Sequence, residues 1–567
     1  MKKILSIILI TTLISFCITS CDKDLEIKPQ GNVDGAALSD ANGIDLLVTS
    51  AYASLTESTW GGSPNNFLMG SIHGGDANKG SDPGDQTYMN EFEDYAFLTN
   101  NRVFNEKWIF NYNGIKRTNN TINLINSVEA ANADFKNKRI GEMKFLRALF
   151  YFELRRTFKM VPYVDEALEA KENNPKVKND TEILPKIEAD LTEAITLLPN
   201  VQDHIGRANK SAAKALLAKI YMFQRKFSTA APILKDIIDN GMNARGVKYQ
   251  LVPKYSDNFS ISMENNSETV FSIQHSVDDG GNNANPGHQP NSLYGGALNG
   301  GGYGFFQPSY SFVNSFQVDA NGLPKLDGSY MDKVIPGTDI TGASTANDAD
   351  RSIPVDPRLD HSVGRRGIPF YDWGLPKSNW VRNPSNGGSF MPKKNLHRKS
   401  DSQFVVRGSA LNTDLIRFDD VLLWYAEALA ETDRYVDARE YVNLIRKRAA
   451  NDLVMFEGQP AANYKVSQYP ASYFDTKEKA LKAIRFERKL EFGMEGGRFF
   501  DLQRWGYDVA KAEIDFYLLK EKMHIGKFAS ASPFSEYKMY FPIPEAQILS
   551  MDIAEDGKPY LLQNSGY

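Results

Sequence analysis

Apolar side chains recur at intervals of three or four residues in four segments of this chain. That spacing places them on one face of a helix, so each segment is predicted to be a helix that packs through an apolar stripe. Polar turns separate the segments, and we therefore expect the helices to pack in antiparallel pairs. The repeating positions are Ile183, Ile187, Leu191, Ile195 and Leu198; Leu216, Ile220, Phe223 and Phe227; Phe418, Leu422, Tyr425 and Leu429; and Tyr435, Ala438, Val442 and Ile445.

Alanines within these segments, at Ala212, Ala215, Ala426 and Ala438, would let helix backbones approach closely. Paired antiparallel helices of this size resemble tetratricopeptide units. The Trp, Gly and Pro landmarks of that repeat are absent, however, and the pairs are not evenly spaced. An unrelated helical bundle is therefore an equally valid interpretation of the periodicity alone.

The middle of the chain has a different composition. Residues 281–410 hold 18 of the 42 glycines and 11 of the 26 prolines, a density that breaks helices and builds turns. The same stretch is rich in aromatic residues, which favours ordered loops, and ordered loops on a scaffold often carry binding surfaces. A second Gly/Asn/Pro-rich loop covers residues 60–86. The aromatic residues of the middle stretch are Tyr303, Phe305, Phe306, Tyr310, Phe312, Phe316, Phe370, Tyr371, Trp373 and Trp380.

The N-terminus has the pattern of a secretory leader. Lys2 and Lys3 precede an apolar run over residues 4–14, and small polar residues lead to Cys21. A cysteine directly after such a site resembles the lipobox of bacterial lipoproteins, so Cys21 is the predicted site of lipidation. Cys17 is the rival position, but bulky Phe16 before it does not suit cleavage after a small residue. An ordinary cleaved leader that happens to contain cysteine is the alternative.

Removal of residues 1–20 would leave Cys21 as the only cysteine, so no intramolecular disulfide is expected. The formal charge of −5 becomes −7 once the two leader lysines are gone, which argues against a nucleic-acid partner. No later apolar run is long enough to span a bilayer, and we expect membrane attachment only through the lipid.

Four sequence stretches carry a family resemblance: residues 147–154 continuing to Val161-Pro162, residues 416–428, residues 484–506, and the C-terminal part with Phe541-Pro542-Ile543-Pro544 and residues 563–567. Asp356-Pro357-Arg358-Leu359 adds a fifth motif. Together they resemble the SusD/RagB family of outer-membrane nutrient-binding lipoproteins, over nearly the whole mature chain and in the same order.

The resemblance implies a mainly α-helical SusD-like fold, with a tetratricopeptide-like scaffold, a large loop-rich and aromatic-rich insertion and little β-structure. It implies a surface lipoprotein of the outer membrane that binds an oligosaccharide, or in some branches a peptide. Such a protein would deliver its ligand as a hinged lid to a TonB-dependent (SusC-like) transporter, and would not be an enzyme. Asp22 and Asp24 after Cys21 resemble the acidic signal that sends such lipoproteins to the cell surface.

These observations predict four parts of the chain. Residues 1–20 are the leader, residues 21–280 the N-terminal helical part with the first loop at 60–86, and residues 281–410 the ligand-binding insertion. Residues 411–567 form a C-terminal part with a helical pair, the Arg/Glu motif and a tail.

A dense charge cluster must be weighed as a catalytic site, because paired carboxylates can hydrolyse glycosidic bonds. Several members, such as Arg488 and Glu491 or Asp501 and Arg504, are three residues apart and would lie side by side on a helix. A carboxylate beside arginine has a lowered pKa, which is unsuited to a general acid. We interpret the cluster as a structural ion-pair network. Its members are Arg485, Glu487, Arg488, Glu491, Glu495, Arg498, Asp501 and Arg504.

Other catalytic and metal-binding patterns fail. No two of the seven histidines have the spacing of a metal motif. Ser211 and Lys214 fit a Ser-x-x-Lys pattern, but Ser211 is better explained as a helix N-cap. No cofactor is predicted. Asp319, Asn321 and Asp327 could hold a calcium ion, although their spacing does not fit a calcium loop and favours turn formation.

Tryptophan positions divide into two groups. Trp108, Trp424 and Trp505 fall in helical or motif segments and are predicted to be core. The others fall in loops with acidic, amide and arginine residues, the mixture that suits the apolar face and hydroxyl edges of a sugar. Anchoring of the loops to the scaffold is the alternative role. The predicted ligand-binding residues are Trp60, Asp76, Asn78, Tyr303, Phe305, Trp373, Trp380 and Arg382.

The sequence therefore predicts a lipid-anchored nutrient-binding protein. A lipid-anchored glycoside hydrolase is one alternative, which would need an isolated carboxylate pair in a cleft. A structural or adhesive surface lipoprotein is the other, for which the loop tryptophans should be buried.

Overall fold

A computed structural model describes residues 40–56, 61–62, 65–129, 131–172, 176–280, 284–285, 293–294, 302–335, 351–394, 396–401, 404–405, 408–551 and 553–567. Trp60 and Cys21, with the whole predicted leader, lie outside these residues. Within them, no helix is both long and apolar enough to cross a membrane.

Helices dominate the described part of the chain, as the mainly α prediction requires. The α-helices are α1 Ala41–Ala53, α2 Asn90–Glu93, α3 Arg102–Ser127, α4 Ala133–Phe158, α5 Glu166–Lys171, α6 Leu184–Leu197, α7 Lys210–Phe223, α8 Phe227–Asn240, α9 Tyr310–Ser315, α10 Arg358–Ser362, α11 Pro384–Gly387, α12 Phe418–Glu431, α13 Tyr435–Ala450, α14 Lys477–Phe492, α15 Arg498–Trp505, α16 Tyr507–Glu521 and α17 Glu545–Ser550.

The strands of the described residues form two-stranded antiparallel ribbons, each short. They pair as β1 with β3, β2 with β8, β4 with β5, β6 with β7 and β9 with β10. The strands are β1 Ala77–Gly80, β2 Thr269–Ile273, β3 Phe305–Pro308, β4 Val363–Gly364, β5 Met391–Pro392, β6 Phe404–Val405, β7 Gly408–Ser409, β8 Thr413–Arg417, β9 Met455–Phe456 and β10 Gln459–Pro460.

The long helices stack in a continuous series. Helix α3 packs on α4, α4 on α6, α6 on α7, α7 on α8, α8 on α12, and α12 on α13 and α14. The contact between α8 and α12 joins the two halves of the scaffold, although about 180 residues separate them in sequence. The helical-pair scaffold is thus confirmed, and the irregular insertion leaves the stack and returns to it.

Two local predictions about this scaffold need correction. Phe227 does not extend the helix that contains Leu216, because α7 ends at Phe223 and Arg225 turns the chain with a φ of +60°. Ser211 is not the N-cap of α7: Asn209 is, since its side chain accepts a hydrogen bond from the Ala212 N–H. The Ser211 hydroxyl instead accepts a hydrogen bond from the backbone N–H of Met242.

One large apolar core runs through the scaffold and reaches into the insertion, where it includes Phe305, Phe312 and Phe316. Trp108, Trp424 and Trp505 are buried in it, which confirms their predicted role. The insertion also has a small core of its own, formed by Leu293, Phe370, Trp380, Val381, Met391 and Leu396.

The predicted charge network is present, and Asp501 pairs with Arg504 as predicted, but other members pair with residues of separate segments. Glu487 and Glu491 on α14 both bind Arg358 of the Asp-Pro-Arg-Leu motif, at 2.7 and 2.8 Å. On α15, Asp501 forms ion pairs with Arg504 of the same helix and with Arg488 of α14, both at 2.8 Å. The network therefore joins the insertion to the C-terminal helices, which spacing along one helix could not reveal.

Candidate ligand-binding face

The ribbon formed by β1 and β3 brings the first loop and the insertion together. In this ribbon Gly80 lies opposite Phe305, and the Ser81 N–H donates to the Gly304 carbonyl at 2.6 Å. Gly80 has a φ of +74°, and a Cβ atom there would lie 2.5 Å from the Gly304 oxygen. Glycine is therefore required at position 80, and the chain that leaves β1 meets the chain that enters β3 at the same end of the ribbon.

The turn after β1 is fixed by a lysine beneath it. The Lys79 ammonium group donates to the carbonyls of Asp82 and Pro83 at 3.1 and 3.3 Å, and to the Asn90 side chain at 2.7 Å. All donors of this ammonium group can thus be used inside the protein. The turn is held in one shape, and Asp82 and Asp85 are presented on its outer side.

A third segment closes on the same end of the ribbon. The Asn386 amide of α11 donates to the carbonyls of Gly80 and Ser81 at 2.8 and 3.0 Å. This contact carries Arg382, just before α11, against the turn. Arg382 Nε lies 2.7 Å from Asp82, and its Nη1 lies 2.8 Å from Asp85.

Aromatic rings border the arginine. The guanidinium carbon of Arg382 lies 5.3 Å from the centre of the Tyr294 ring, within the range of a cation–π contact. Tyr294 is 38% exposed, and the side chains of Arg382, Asp82 and Asp85 are 26%, 41% and 23% exposed. A Cβ atom at Gly304 would lie 3.3 Å from the Cβ atoms of Tyr294 and Arg382, so the backbone next to Tyr303 packs against this group. Tyr303 itself is half-buried, and its ring centre lies 6.3 Å from that of Phe305.

We call this group the Arg382 face and define it as Asp82, Asp85, Tyr294, Tyr303, Arg382 and Asn383. Its rings can cover the apolar C–H face of a sugar, and its carboxylate, amide and guanidinium groups can bond the hydroxyl edges. The Asn383 amide donates to Asp82 at 3.2 Å, and the Arg382 Nη1 also donates to the Ser81 hydroxyl at 2.8 Å. The polar groups therefore hold one another in place before any ligand arrives.

Among the predicted binding residues, Arg382 lies in this face and Tyr303 adjoins it through Gly304, and their contact with ligand stays a prediction. Asp76, Asn78 and Phe305 lie beneath it instead, with 0 to 1% exposure. These three side chains are therefore part of the protein interior, and a ligand on the surface would not contact them. β1 and β3 are buried at every position, so polar side chains and a Gly/Asn-rich composition did not indicate exposure here.

Asn78 is the centre of a buried polar network. Its amide group donates to Glu521 of α16 at 2.7 Å and accepts from the Tyr517 hydroxyl at 2.8 Å. Glu521 in turn accepts the backbone N–H groups of Tyr310 and Ser311 at 3.0 and 3.2 Å, at the start of α9. Burial raises the pKa of Glu521 to about 7, although these donors oppose the rise. The network ties the ribbon under the face to the C-terminal helices.

Asp76 is buried beside this network. One carboxylate oxygen accepts the Met494 N–H at 3.4 Å, and the other has no hydrogen-bond partner among the described residues. Burial raises the pKa of the Asp76 carboxyl to about 7, and more distant cations such as Arg498 counteract only part of that rise.

The two insertion tryptophans have different environments. Trp380 is buried in the small core of the insertion, with its ring edge-on to Phe370 at 5.8 Å. This placement contradicts an open binding surface at Trp380 and matches the anchoring role. Trp373 is half-buried and donates from Nε1 to the His397 carbonyl at 3.1 Å. Its contact with ligand stays a prediction.

Two carboxylates of the charge network, Asp501 and Glu491, do not have the properties of a general acid. Burial opposes ionisation of Asp501, but Arg488 and Arg504 outweigh it and lower the pKa of its carboxyl to about 2. Burial also opposes ionisation of Glu491, and Arg448 and Arg358 overcome that effect and hold its pKa well below the usual range. Carboxylates held ionised in this way cannot donate a proton near neutral pH.

Asp319 and Asp327 form turns, which is the role that their spacing favoured over calcium binding. Asp319 accepts the backbone N–H groups of Asn321 and Leu323 at 2.8 and 2.9 Å, and Asp327 accepts the N–H of Ser329 at 3.0 Å. Both aspartates thus stabilise their own turns. In the part of the chain that the structure describes, no group of three or more His, Cys, Asp or Glu side chains is arranged to hold a metal ion.

Residues that the sequence did not single out complete the face. Asp82 and Asp85 flank Pro83 and Gly84, a turn signal inside the predicted first loop, and an Asp-Pro-Gly-Asp turn could have drawn attention to both. Tyr294 carries no such signal. A separate groove of about 690 Å³ between α1, residues 204–207 and the end of β2 was also not predicted. Tyr52, Arg207 and His275 are among the residues that line it.

Comparison with known proteins agrees with this architecture. Residues 267–567 match the family model described as the SusD family, and residues 48–222 match a model described as starch-binding associating with outer membrane. SusD-like protein P2 of Formosa agariphila is 25% identical over 513 residues, which cover 88% of this chain and 90% of that protein. A SusD-like protein of Bacteroides ovatus is 22% identical over 589 residues, covering 96% and 92%.

Solved structures show the same fold. A SusD superfamily protein from Bacteroides vulgatus superposes with a TM-score of 0.68 at 22% identity, covering 94% of this chain and 100% of that one. Surface glycan-binding protein A from Bacteroides thetaiotaomicron, solved in complex with laminarihexaose, gives a TM-score of 0.64 at 20% identity, covering 92% and 99%. With a family model matched over more than half of its length and the same fold throughout, the chain belongs to the SusD family.

Proposed function

We propose that this chain is a surface lipoprotein that captures an oligosaccharide at the Arg382 face and delivers it, uncleaved, to a TonB-dependent outer-membrane transporter. The observation that carries the proposal is the half-exposed arrangement of Arg382 between Asp82 and Asp85, bordered by Tyr294. Rings beside fixed hydroxyl-binding groups are the chemistry that a sugar requires.

The family context supports a glycan in preference to a peptide. One of the matched family models is described as starch-binding, and proteins of the same fold include a laminarin-binding SusD-like protein and one in complex with laminarihexaose. The buried, arginine-paired state of Asp501 and Glu491 supports binding without cleavage, because neither can act as a general acid.

Titration calorimetry of the soluble chain that begins at Asp22, against neutral and acidic oligosaccharides and against peptides, tests the ligand class. We expect binding of an oligosaccharide with no new reducing ends after prolonged incubation. Release of shorter sugars would support the glycoside hydrolase, and binding of peptides alone would reject the glycan. Silence against every ligand would favour a structural or adhesive lipoprotein.

A matched pair of variants locates the site. Arg382→Met should weaken binding at least tenfold, because it removes the group that orders Asp82 and Asp85. Arg434→Met is the control, since Arg434 forms an exposed pair with Asp437 on the helical scaffold, at 2.8 Å. Equal affinity of the two variants would move the site away from the Arg382 face, with the groove beside α1 as the next candidate.

Attachment and delivery are separate parts of the proposal. Cys21→Ala should release the protein from membranes, and continued sedimentation with the outer membrane would reject the lipid anchor. The lipidated protein, extracted from its native membrane in mild detergent, should elute as a complex with a TonB-dependent barrel. Separate elution of the two proteins would contradict the lid model.

A further inference from the structure

The charges of the Arg382 face are unequal. Arg382 brings one positive charge, whereas Asp82 and Asp85 bring two negative charges, both within 2.8 Å of the guanidinium group. Nε and Nη1 of the arginine point at these carboxylates. The face therefore has a formal charge of −1, and its only cation is already neutralised by its own neighbours.

Two nearby lysines, Lys79 and Lys527, also bond to groups within the protein. The Lys79 ammonium group bonds backbone carbonyls and Asn90 beneath the turn. Lys527 donates to Glu93 at 2.7 Å and to the Asn386 side chain at 3.2 Å. Neither ammonium group is positioned to compensate a negative charge that arrives from solvent.

The segment that supplies the two tyrosines carries no formal charge. Residues 280–318 contain no Asp, Glu, Lys or Arg, and His288 is their only titratable imidazole, although charged residues make up 24% of the whole chain. At the average density about nine charges would fall in this stretch. Neither Tyr294 nor Tyr303 therefore has a charged residue near it in sequence that could offset the two aspartates.

A neutral sugar fits this environment. Its hydroxyl groups can donate to the Asp82 and Asp85 carboxylates and accept from the guanidinium group, while a tyrosine ring covers its C–H face. A uronic acid or a sulfated sugar would bring its negative charge close to two carboxylates, and the one cation of the face, Arg382, is already paired with both. Like charges at such distances repel, and the repulsion grows when the ligand displaces water.

We propose that the Arg382 face selects uncharged oligosaccharides and rejects those with carboxylate or sulfate groups, with Asp82 and Asp85 as the residues that set this preference. The inference rests on the proposed function, since it concerns the same site.

Chemical oxidation of the ligand provides the test. The neutral oligosaccharide that binds most tightly is compared, by calorimetry, with the same oligosaccharide after its primary hydroxyls have been oxidised to carboxylates. At low salt we expect the oxidised form to bind at least tenfold more weakly. The ratio should shrink in 0.5 M NaCl, where charge repulsion is screened. Equal or tighter binding of the oxidised form would overturn the inference.

Variants assign the preference to the two aspartates. The double variant Asp82→Asn, Asp85→Asn leaves Arg382 uncompensated, and it should lower the neutral-to-oxidised affinity ratio at least tenfold. The single variant Asp85→Asn should lower it less. Asp437→Asn, which neutralises an exposed aspartate on α13, is the matched control and should leave the ratio unchanged. An unaltered ratio in a double variant that keeps the wild-type circular dichroism would overturn the assignment.

Loss of the preference for neutral sugars can be distinguished from loss of glycan binding altogether. Tighter binding of acidic ligands that is still lost in Arg382→Met would leave a glycan-binding site and reject only its preference for neutral sugars. Absence of binding to every neutral and acidic oligosaccharide would reject both.

Discussion

Arg358 and Arg382 are two of the arginines that bind more than one carboxylate, and their surroundings differ. Arg358 is fully buried and contacts Asp356, Glu487 and Glu491, which are fully buried as well. Arg382 contacts Asp82 and Asp85 at similar distances, but all three remain open to solvent. The same chemistry therefore appears both in the core and on a face.

Burial decides what each arrangement can do. All the ion pairs of the Arg358 cluster are buried inside the protein. The cluster can therefore join the insertion to α14, but it cannot contact a ligand. Around Arg382, solvent-facing atoms of the carboxylates and the guanidinium group can exchange bonds with water for bonds with a sugar. Charge clusters in this chain must be sorted by exposure before a function is assigned to them.

The largest expected difference between the two arginines is in stability. Arg358→Met leaves Asp356, Glu487 and Glu491 without their shared cation in the core, which should lower the free energy of unfolding by about 3 to 5 kcal/mol. Arg382→Met should cost about 1 kcal/mol or less, because its pairs are near the surface. Urea denaturation measures both, and equal losses would contradict the division into core and face.

A second contrast lies within the insertion. Trp380→Ala removes a buried ring from the small core and should lower the free energy of unfolding by about 3 kcal/mol or more. Trp373 is half-buried, packs against the edge of the same core and donates a hydrogen bond to the His397 carbonyl, so Trp373→Ala should cost about half as much. Thermal unfolding monitored by near-ultraviolet circular dichroism compares them. A larger loss for Trp373 would show that the insertion packs differently.

The buried carboxyl beneath the face should make stability depend on pH. Because the folded-state pKa of Asp76 is raised to about 7, its proton stabilises the folded protein below pH 4, and this contribution is lost as the pH rises to 7. Asp76→Asn removes the ionisable carboxyl, and with it the fall in stability that its ionisation causes as the pH rises. The stability of the variant relative to wild type should increase by about 1 to 4 kcal/mol between pH 4.5 and pH 8.

Denaturation of both proteins at the two pH values provides the measurement. Other buried groups, such as Glu521, titrate in both proteins and cancel in the difference. The cost of burying an amide in the variant does not change with pH, because an amide does not titrate in this range. A constant difference between the proteins would show that Asp76 ionises normally.

The smallest expected effect is the change in binding energy at the face. A tenfold loss of affinity in Arg382→Met corresponds to about 1.4 kcal/mol, well below the stability loss in Arg358→Met. Calorimetry measures the affinity of both variants for the same oligosaccharide. Arg358→Met should retain affinity as long as it is folded, and a selective loss there would place the buried cluster in the binding site.

The sequence was sufficient for the helical scaffold because helix periodicity is a local property. The stripes through Leu191 and Leu422 each predicted a helix that the structure contains. The pairings that organise the rest are not local. Arg358 and Glu487 are 129 residues apart, and Arg382 and Asp85 are 297 residues apart. No spacing rule connects residues at those separations.

The candidate site was only partly predictable for the same reason. Composition located the two loops that meet in it, and Arg382 and Tyr303 were among the predicted residues. Composition could not tell which loop residues face inward. Trp380 and Asn78 stand in Gly/Pro-rich segments, yet the insertion forms its own small core and β1 buries its polar side chains against α16.

A crystal structure with the tightest-binding oligosaccharide bound would test the central claim most directly. We predict intact sugar rings against Tyr294 or Tyr303, with hydroxyl groups bonded to Asp85 and Arg382. An oligosaccharide bound elsewhere, such as in the groove between α1 and β2, with the Arg382 face empty, would contradict it.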